Sequence, residues 1–251
     1  MEIWQLLLLT LTGIAAGFMN VMAGGGSLLT VPAMLFLDIP GPVANGTNRI
    51  AILAQNITAV ITFFRKGFSD FKLSLSLAAA AVPGAIIGAQ MGTALQGVWF
   101  ERVVAAVMVA VMILMATDKK PKAQFTENPE PLSKARMIAG HACMFGAGIW
   151  GGFIQLGVGF ILMPILHRVM QLDLVTVNMH KVFIVLVYTI AALMVFATQV
   201  EILWIVGLCL AVGNSIGGWL GAHVTMEHGD AIIRRVFNIV LAALIIKLLF
   251  F

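Results

Sequence analysis

An all-α, polytopic integral membrane protein made of two inverted repeats is the fold that the sequence predicts, on three observations. Of 251 residues, 61% are hydrophobic and 10% charged, with a mean hydropathy of +1.02. That balance belongs to helical membrane proteins and not to soluble domains. The thirty-five residues from Ile3 to Leu37 carry no charge and are interrupted by Gly24-Gly25-Gly26. One helix of that length would reach about 52 Å against a hydrocarbon core of roughly 30 Å, so the chain must break or fold back within the bilayer. Finally, the second half of the chain repeats the first.

Apolar segments fall at about 4–20, 27–38, 44–64, 71–92 and 98–117, then, after a polar stretch, at 137–152, 157–168, 175–197, 201–223 and 231–250. The first two of each set are too short to cross comfortably and are expected to be tilted helices or halves of re-entrant hairpins. This divides the chain into a first transmembrane repeat, 1–117, a linker, 118–136, and a second repeat, 137–251. The N-terminus lacks a basic leader and its apolar run continues past signal-peptide length, so no cleaved signal is expected.

Sidedness follows from the basic residues. Arg65, Lys66, Lys72, Lys119, Lys120, Lys122, Lys134, Arg136, Arg168, Arg234 and Arg235 fall in loops that one topology places together. Arg102 and Lys247 fall on the other side. The asymmetry assigns the rich side to the cytoplasm and leaves both termini outside, in a multi-pass membrane protein. The net charge of +4 is spread over these short loops, so no nucleic-acid partner is expected. The lipid bilayer is the partner; a homo-oligomer remains open.

The repeat is specific. Gly25-Gly26-Ser27-Leu28-Leu29-Thr30-Val31-Pro32 aligns with Gly157-Val158-Gly159-Phe160-Ile161-Leu162-Met163-Pro164 at an offset of 132. The same offset pairs Asn48-Arg49 with His180-Lys181, and Asn56 with Tyr188. Gly84, Gly88 and Gly92 correspond to Gly213, Gly217 and Gly221 at an offset of 129, and their spacing reads as smooth helix-packing seams. Five segments per half turn the second half upside down, the plan of many secondary transporters, whose site lies at the repeat interface near the midplane.

Arg49 and Lys181 each open a long apolar run. A cation there either faces a cavity or snorkels to the interface, and the repeat favours the cavity. No carboxylate lies centrally to neutralise either one, so an anionic solute is expected to supply the missing charge. Asn45, Asn48, Ile52, Gln55 and Ala59 share a helix face, with Asn56 beside them; Asn178, His180 and Tyr188 take comparable positions in the second half. The breaks at Gly24, Gly25, Gly26 and at Gly157 and Gly159, flanked by Asn20 and Gln155, are expected to turn backbone N–H groups toward the same anion. His180 could carry a proton or simply be satisfied by a neighbouring helix. Cys143 and Cys209 read as ordinary buried thiols, and neither they nor the other histidines have metal-ligand spacing. There is no phosphate-binding loop or nucleophile elbow, so neither an enzyme nor a cofactor is expected.

Gly13-xxx-Gly17, the Gly24-Gly25-Gly26-Ser27 block running to Pro32, Asn48-Arg49 and the second glycine–proline block together resemble the TauE/SafE family of sulfite exporters, over about residues 5–250. The second block departs from a full triple glycine. The resemblance implies an inner-membrane permease for sulfite, organosulfonates or related sulfur oxyanions. The expectation is therefore a secondary transporter, by alternating access around a midplane anion site. An anion channel, or a permease for a non-sulfur anion such as a carboxylate, is the alternative.

Overall fold

The computed structural model describes residues 2–117 and 133–228. Their regular structure is entirely helical: α1 Ile3–Ala23, α2 Ser27–Leu35, α3 Gly41–Arg65, α4 Phe71–Ala94, α5 Val98–Thr117, α6 Lys134–Phe153, α7 Gly159–Pro164, a π-helical turn Ile165–Val169, α8 Leu174–Gln199 and α9 Trp204–His228. The segment expected at 231–250, its basic residues and most of the linker lie outside the described residues.

The first helix of each half is longer than the sequence suggests. α1 has 21 residues and α6 has 20, each about 30 Å long. α1 runs on until Gly24 closes it in the left-handed conformation (φ 79°), donating its N–H to the Asn20 and Met19 carbonyls. α6 starts early because the Ser133 hydroxyl caps it, accepting from the Arg136 N–H. Only α2 and the α7–π segment remain short. At Pro164 the helical ladder loses an N–H, and the chain winds on as the π turn. Asp70 caps α4 and Asp173 caps α8 through their carboxylates.

Among the described residues, four helices are long and apolar enough to cross a membrane: Ile3–Met22, Phe71–Ala94, Leu174–Gln199 and Trp204–Met226. The outer surface is apolar, with Leu7, Leu8 and Leu11 on α1 and Ile205, Leu208 and Val212 on α9 all exposed. Arg49, Lys181 and the amides of α3 lie inside, while the described carboxylates are exposed. Lipid is the solvent that makes this arrangement stable.

The glycine seams tie the halves together reciprocally. A Cβ at Gly84, Gly88 or Gly92 of α4 would lie 2.2, 1.9 or 2.1 Å from the carbonyl oxygens of Phe145, Ile149 and Phe153 on α6. A Cβ at Gly213, Gly217 or Gly221 of α9 would lie 2.1, 2.0 or 2.8 Å from those of Thr10, Ile14 and Phe18 on α1. The opposing helices answer in kind: Gly148 and Gly152 meet Ala81 and Ala85, while Gly13 and Gly17 meet Leu210 and Asn214. Each half thus packs its fourth helix along the first helix of the other half, backbone to backbone, as small residues allow in lipid. The contacts advance in the same direction along both partners, so α4 runs parallel to α6 and α9 parallel to α1.

The loops sort to two ends. Asp38, Pro40, Gln96, Gly97, Glu101 and Glu201 line one mouth of about 510 Å³. At the other end Arg65 and Lys66 lie beside Trp219 and His223, and Ser76 bonds His141 near the start of α6. Labelling with a membrane-impermeant maleimide checks which end is cytoplasmic. In a variant with Cys143 and Cys209 replaced by serine, Ser69→Cys is expected to react only from the cytoplasmic side and Gln96→Cys only from outside; the reverse pattern would invert the topology. Both native cysteines are free and partly exposed, less buried than expected.

Candidate functional site

α3 and α8 supply the polar interior. The amide stripe of α3 turns inward as one face: Asn45, Asn48, Ile52, Gln55, Asn56 and Ala59 are all buried. On α8, Asn178, His180, Lys181 and Tyr188 are buried as well. Arg49 is 0% and Lys181 is 2% exposed, so neither snorkels to an interface.

Arg49 closes the C-terminal end of α6, a helix of the other half. Its guanidinium donates to the Gly151 carbonyl (3.2 Å), to the Gly152 carbonyl and to Gln155 Oε1 (3.0 Å). It also donates to Asn45 Oδ1 at 3.5 Å, and it stacks 4.3 Å from the centre of the Phe196 ring. Asn45 completes the cap by donating to the Phe153 carbonyl at 2.8 Å. The last carbonyls of a helix lack intrahelical partners and carry partial negative charge, so a cation and an amide are their natural complement. Gln155, held at φ 60° just past the helix end, passes the network on to Thr189 on α8 (3.0 Å).

Lys181 does the same for α1. Its ammonium donates to the Val21 carbonyl in the last turn of α1 (2.5 Å) and to Asn178 Oδ1 (2.6 Å). Each repeat-related cation therefore caps the broken helix of the opposite half. Beside it, His180 Nδ1 is hydrogen-bonded to Ser74 Oγ on α4 at 2.7 Å. Asn48, the repeat partner of His180, donates to Ser27 Oγ at the start of α2 (3.3 Å). Asn20 donates to Gln55 Oε1 (3.0 Å), joining α1 to α3. Asn56 bonds only back to Ile52 of its own helix among the bonds described. Tyr188 is fully buried against Gly151, where a Cβ would lie 2.7 Å from its hydroxyl.

Two expectations need correction. The cations do not converge on one point. Lys181 is level with Ala59, which packs with Met179 and Val182, and that level is ten residues beyond Arg49, about 15 Å along α3. Arg49 and Lys181 mark the two ends of this stretch, with the buried amides Gln55 and Asn56 between them on α3. Nor do all the glycine breaks offer free donors. The Gly24 N–H closes α1, and the Gly159 N–H donates to the Gly24 carbonyl at 3.2 Å. The breaks touch instead: a Cβ on Gly24 would lie 2.1 Å from Gly159 Cα. Gly25 and Gly26 accept the first bonds of α2, from Leu28, Leu29 and Thr30. Gly157 takes φ 65° and gives its carbonyl to the Phe160 N–H.

Several buried polar atoms have no protein hydrogen-bond partner: Asn48 Oδ1, Arg49 Nε, Gln55 Nε2, His180 Nε2, Thr30 Oγ1 and Asn214 Oδ1. Buried polar groups without partners are costly. Ser74, Phe196 and Asn214 escaped sequence reasoning. Ser74 aligns with Leu203 at the offset of 129 and Asn214 with Ala85, so the repeat signals neither. Every Asp and Glu whose side chain is described is exposed.

Comparisons with known proteins point to membrane transporters. The family model described as "Sulfite exporter TauE/SafE" matches residues 9–248. A probable membrane transporter protein, ORF9, from Sinorhizobium sp. is 28% identical over 93% of this chain and 88% of its own length. The probable membrane transporter protein YfcA of Escherichia coli K12 is 24% identical over 94% and 86%. A probable membrane transporter protein of Haemophilus influenzae is 24% identical over 91% and 88%. No solved structure matches. With a full-length match laid over an all-helical, lipid-faced fold, the chain belongs to the TauE/SafE sulfite exporter family.

Proposed function

We propose that this membrane transporter is a secondary carrier, an exporter of a small sulfur-containing anion such as sulfite or an organosulfonate, working by alternating access. One observation carries the reading: two buried cations, one per repeat, flank a buried polar face of α3 on which two donors, Arg49 Nε and Gln55 Nε2, have no protein partner. Arg49 receives the anion near one mouth and Lys181 near the other, while Asn48, Gln55, Asn56, His180 and Tyr188 shape the passage between them. A guanidinium suits an oxyanion because its N–H groups match a pair of oxygens. Gly24, Gly25, Gly26, Gly157 and Gly159 act by letting the broken helices meet at the centre.

Reciprocal packing also suggests the moving parts. The repeats 1–117 and 137–251 exchange helices, so neither is a separate body. The glycine-seamed pairs, α1 with α9 and α4 with α6, are the stiff units that rock about α3 and α8. Near-complete burial of the path supports a carrier over an open pore. The protein sits in the inner membrane with both termini in the periplasm.

Flux into proteoliposomes, tested with labelled sulfite, ethanesulfonate, sulfate, acetate and chloride, checks the substrate and the mode. Saturable flux of sulfite or ethanesulfonate, accelerated by the same anion on the far side, is expected. Unitary currents, or preference for acetate, would replace this reading with the channel or the carboxylate permease.

A further inference from the structure

We propose that His180 is a proton-transfer site, and that export of the anion is linked to proton movement through a path formed by Ser74 and His180; this rests on the anion reading above. Among the described histidines, His141, His167 and His223 each bond a backbone carbonyl at an exposed or part-buried position. His180 differs. It is 0% exposed, its Nδ1 is engaged by a hydroxyl, and its Nε2 is buried with no partner. The repeat sharpens the contrast. Asn48 occupies the matching position, likewise bonded to a serine and likewise left with one unpartnered atom. The first half has an amide there, which cannot titrate; the second has an imidazole, which can.

A small cavity of about 10 Å³ opens on the Ser74 side, with Ser69, Asp70 and Ser74 as its polar lining among Val60, Met179 and five phenylalanines. That is close to the space one water needs. Ser74 thus stands between an exposed carboxylate, Asp70, and the buried ring. Asp70 caps α4 and Asp173 caps α8, the two helices that meet at His180, and Lys181 follows His180 in the chain. Lys72 on α4 and Arg65 and Lys66 at the end of α3 are exposed. His141 of α6 bonds Ser76 and the Met137 carbonyl. α1 has no titratable residue between Ile3 and Ala23.

The step conserves its proton. The Ser74 hydroxyl gives its hydrogen to His180 Nδ1 and takes one from a hydronium on the Asp70 side, which becomes water, and the resulting imidazolium releases the hydrogen on Nε2 toward the polar path. One proton enters and one leaves, and rotation of the neutral ring and of the Ser74 hydroxyl then restores a bare ring nitrogen facing Ser74 for the next transfer. Net transport then needs this step, whereas one-for-one exchange of anion across the membrane does not.

Proteoliposomes separate the two modes, with labelled sulfite as the probe and protein-free vesicles giving the passive leak. In the wild type an imposed pH gradient is expected to drive sulfite accumulation above that leak. Ser74→Ala is expected to keep sulfite exchange within about twofold while slowing pH-driven accumulation by about tenfold. His180→Gln is expected to abolish the pH-driven component. Size-exclusion profiles confirm that both variants fold, and Ser74→Ala stands as the test should His180→Gln not. If the pH-driven rate in the folded variants equals that of the wild type, or if the wild type exchanges sulfite with no pH-driven component, the proton path is wrong and the anion site stands. Absence of any sulfite exchange would remove the anion reading and this inference with it.

Discussion

Arg49→Ala is expected to abolish most transport and to destabilise the protein, because one side chain does two jobs. It closes the end of α6 through the Gly151 and Gly152 carbonyls and keeps one donor, Nε, unused in the buried path. Truncation strands two buried carbonyls at about 1–3 kcal/mol each, so a loss of roughly 2–6 kcal/mol is expected. In the proposed anion site it would also remove a charge-assisted bond, which corresponds to a ten- to hundredfold loss of affinity at about 1.4 kcal/mol per tenfold. Arg49→Lys separates the effects. An ammonium can still cap α6, but it lacks the planar fork and the Nε donor. It is expected to recover most of the thermal stability and little of the flux. Thermal unfolding in detergent and initial flux rates measure the two; recovery of both together would make Arg49 a purely structural residue.

Alanine in the glycine seams is expected to have the other large effect. At Gly88 a methyl would sit 1.9 Å from the Ile149 carbonyl oxygen, and at Gly217 2.0 Å from that of Ile14. Backbone cannot rotate aside as a side-chain tip can, so the two helices must separate. Overpacking of this kind costs about 1–3 kcal/mol or more, and here the whole seam loosens with it. Gly88→Ala and Gly217→Ala are expected to lower the unfolding temperature comparably, since their surroundings repeat. Gly146→Ala is the control: it lies in α6 with nothing within 4 Å of its added Cβ. It is expected to be neutral or to gain up to about 1 kcal/mol from helix propensity. A Gly88→Ala protein as stable as Gly146→Ala would mean that the seams do not hold the halves together.

Much of this architecture is legible in the sequence, for identifiable reasons. In a chain this apolar, polar residues at helical spacing stand out, so the inward face of α3 could be read directly. The repeat singled out Arg49 and Lys181 and marked the glycine seams, because the same geometric need recurs in both halves. What could not be read was the partner of each group. Arg49 meets Gly151 and Gln155, more than a hundred positions away. No local pattern shows that a cation will cap a helix of the other half, nor that Gly24 and Gly159 will touch. The expectation of one shared anion point failed for that reason. Symmetry says that two cations are equivalent, but an inverted repeat sets equivalent groups at opposite depths. The first helices were cut short because their ends are fixed by capping geometry, at Ser133 and Gly24, and not by loss of hydrophobicity. Ser74 looked like any helix serine until α8 placed a ring nitrogen 2.7 Å from it.

The most direct test of the buried cations as the anion path is exchange of labelled sulfite in proteoliposomes of the wild type, Arg49→Ala and Lys181→Ala, each normalised to folded protein. Saturable exchange in the wild type is expected, with both variants reduced at least tenfold. Wild-type rate and affinity in both variants would contradict it.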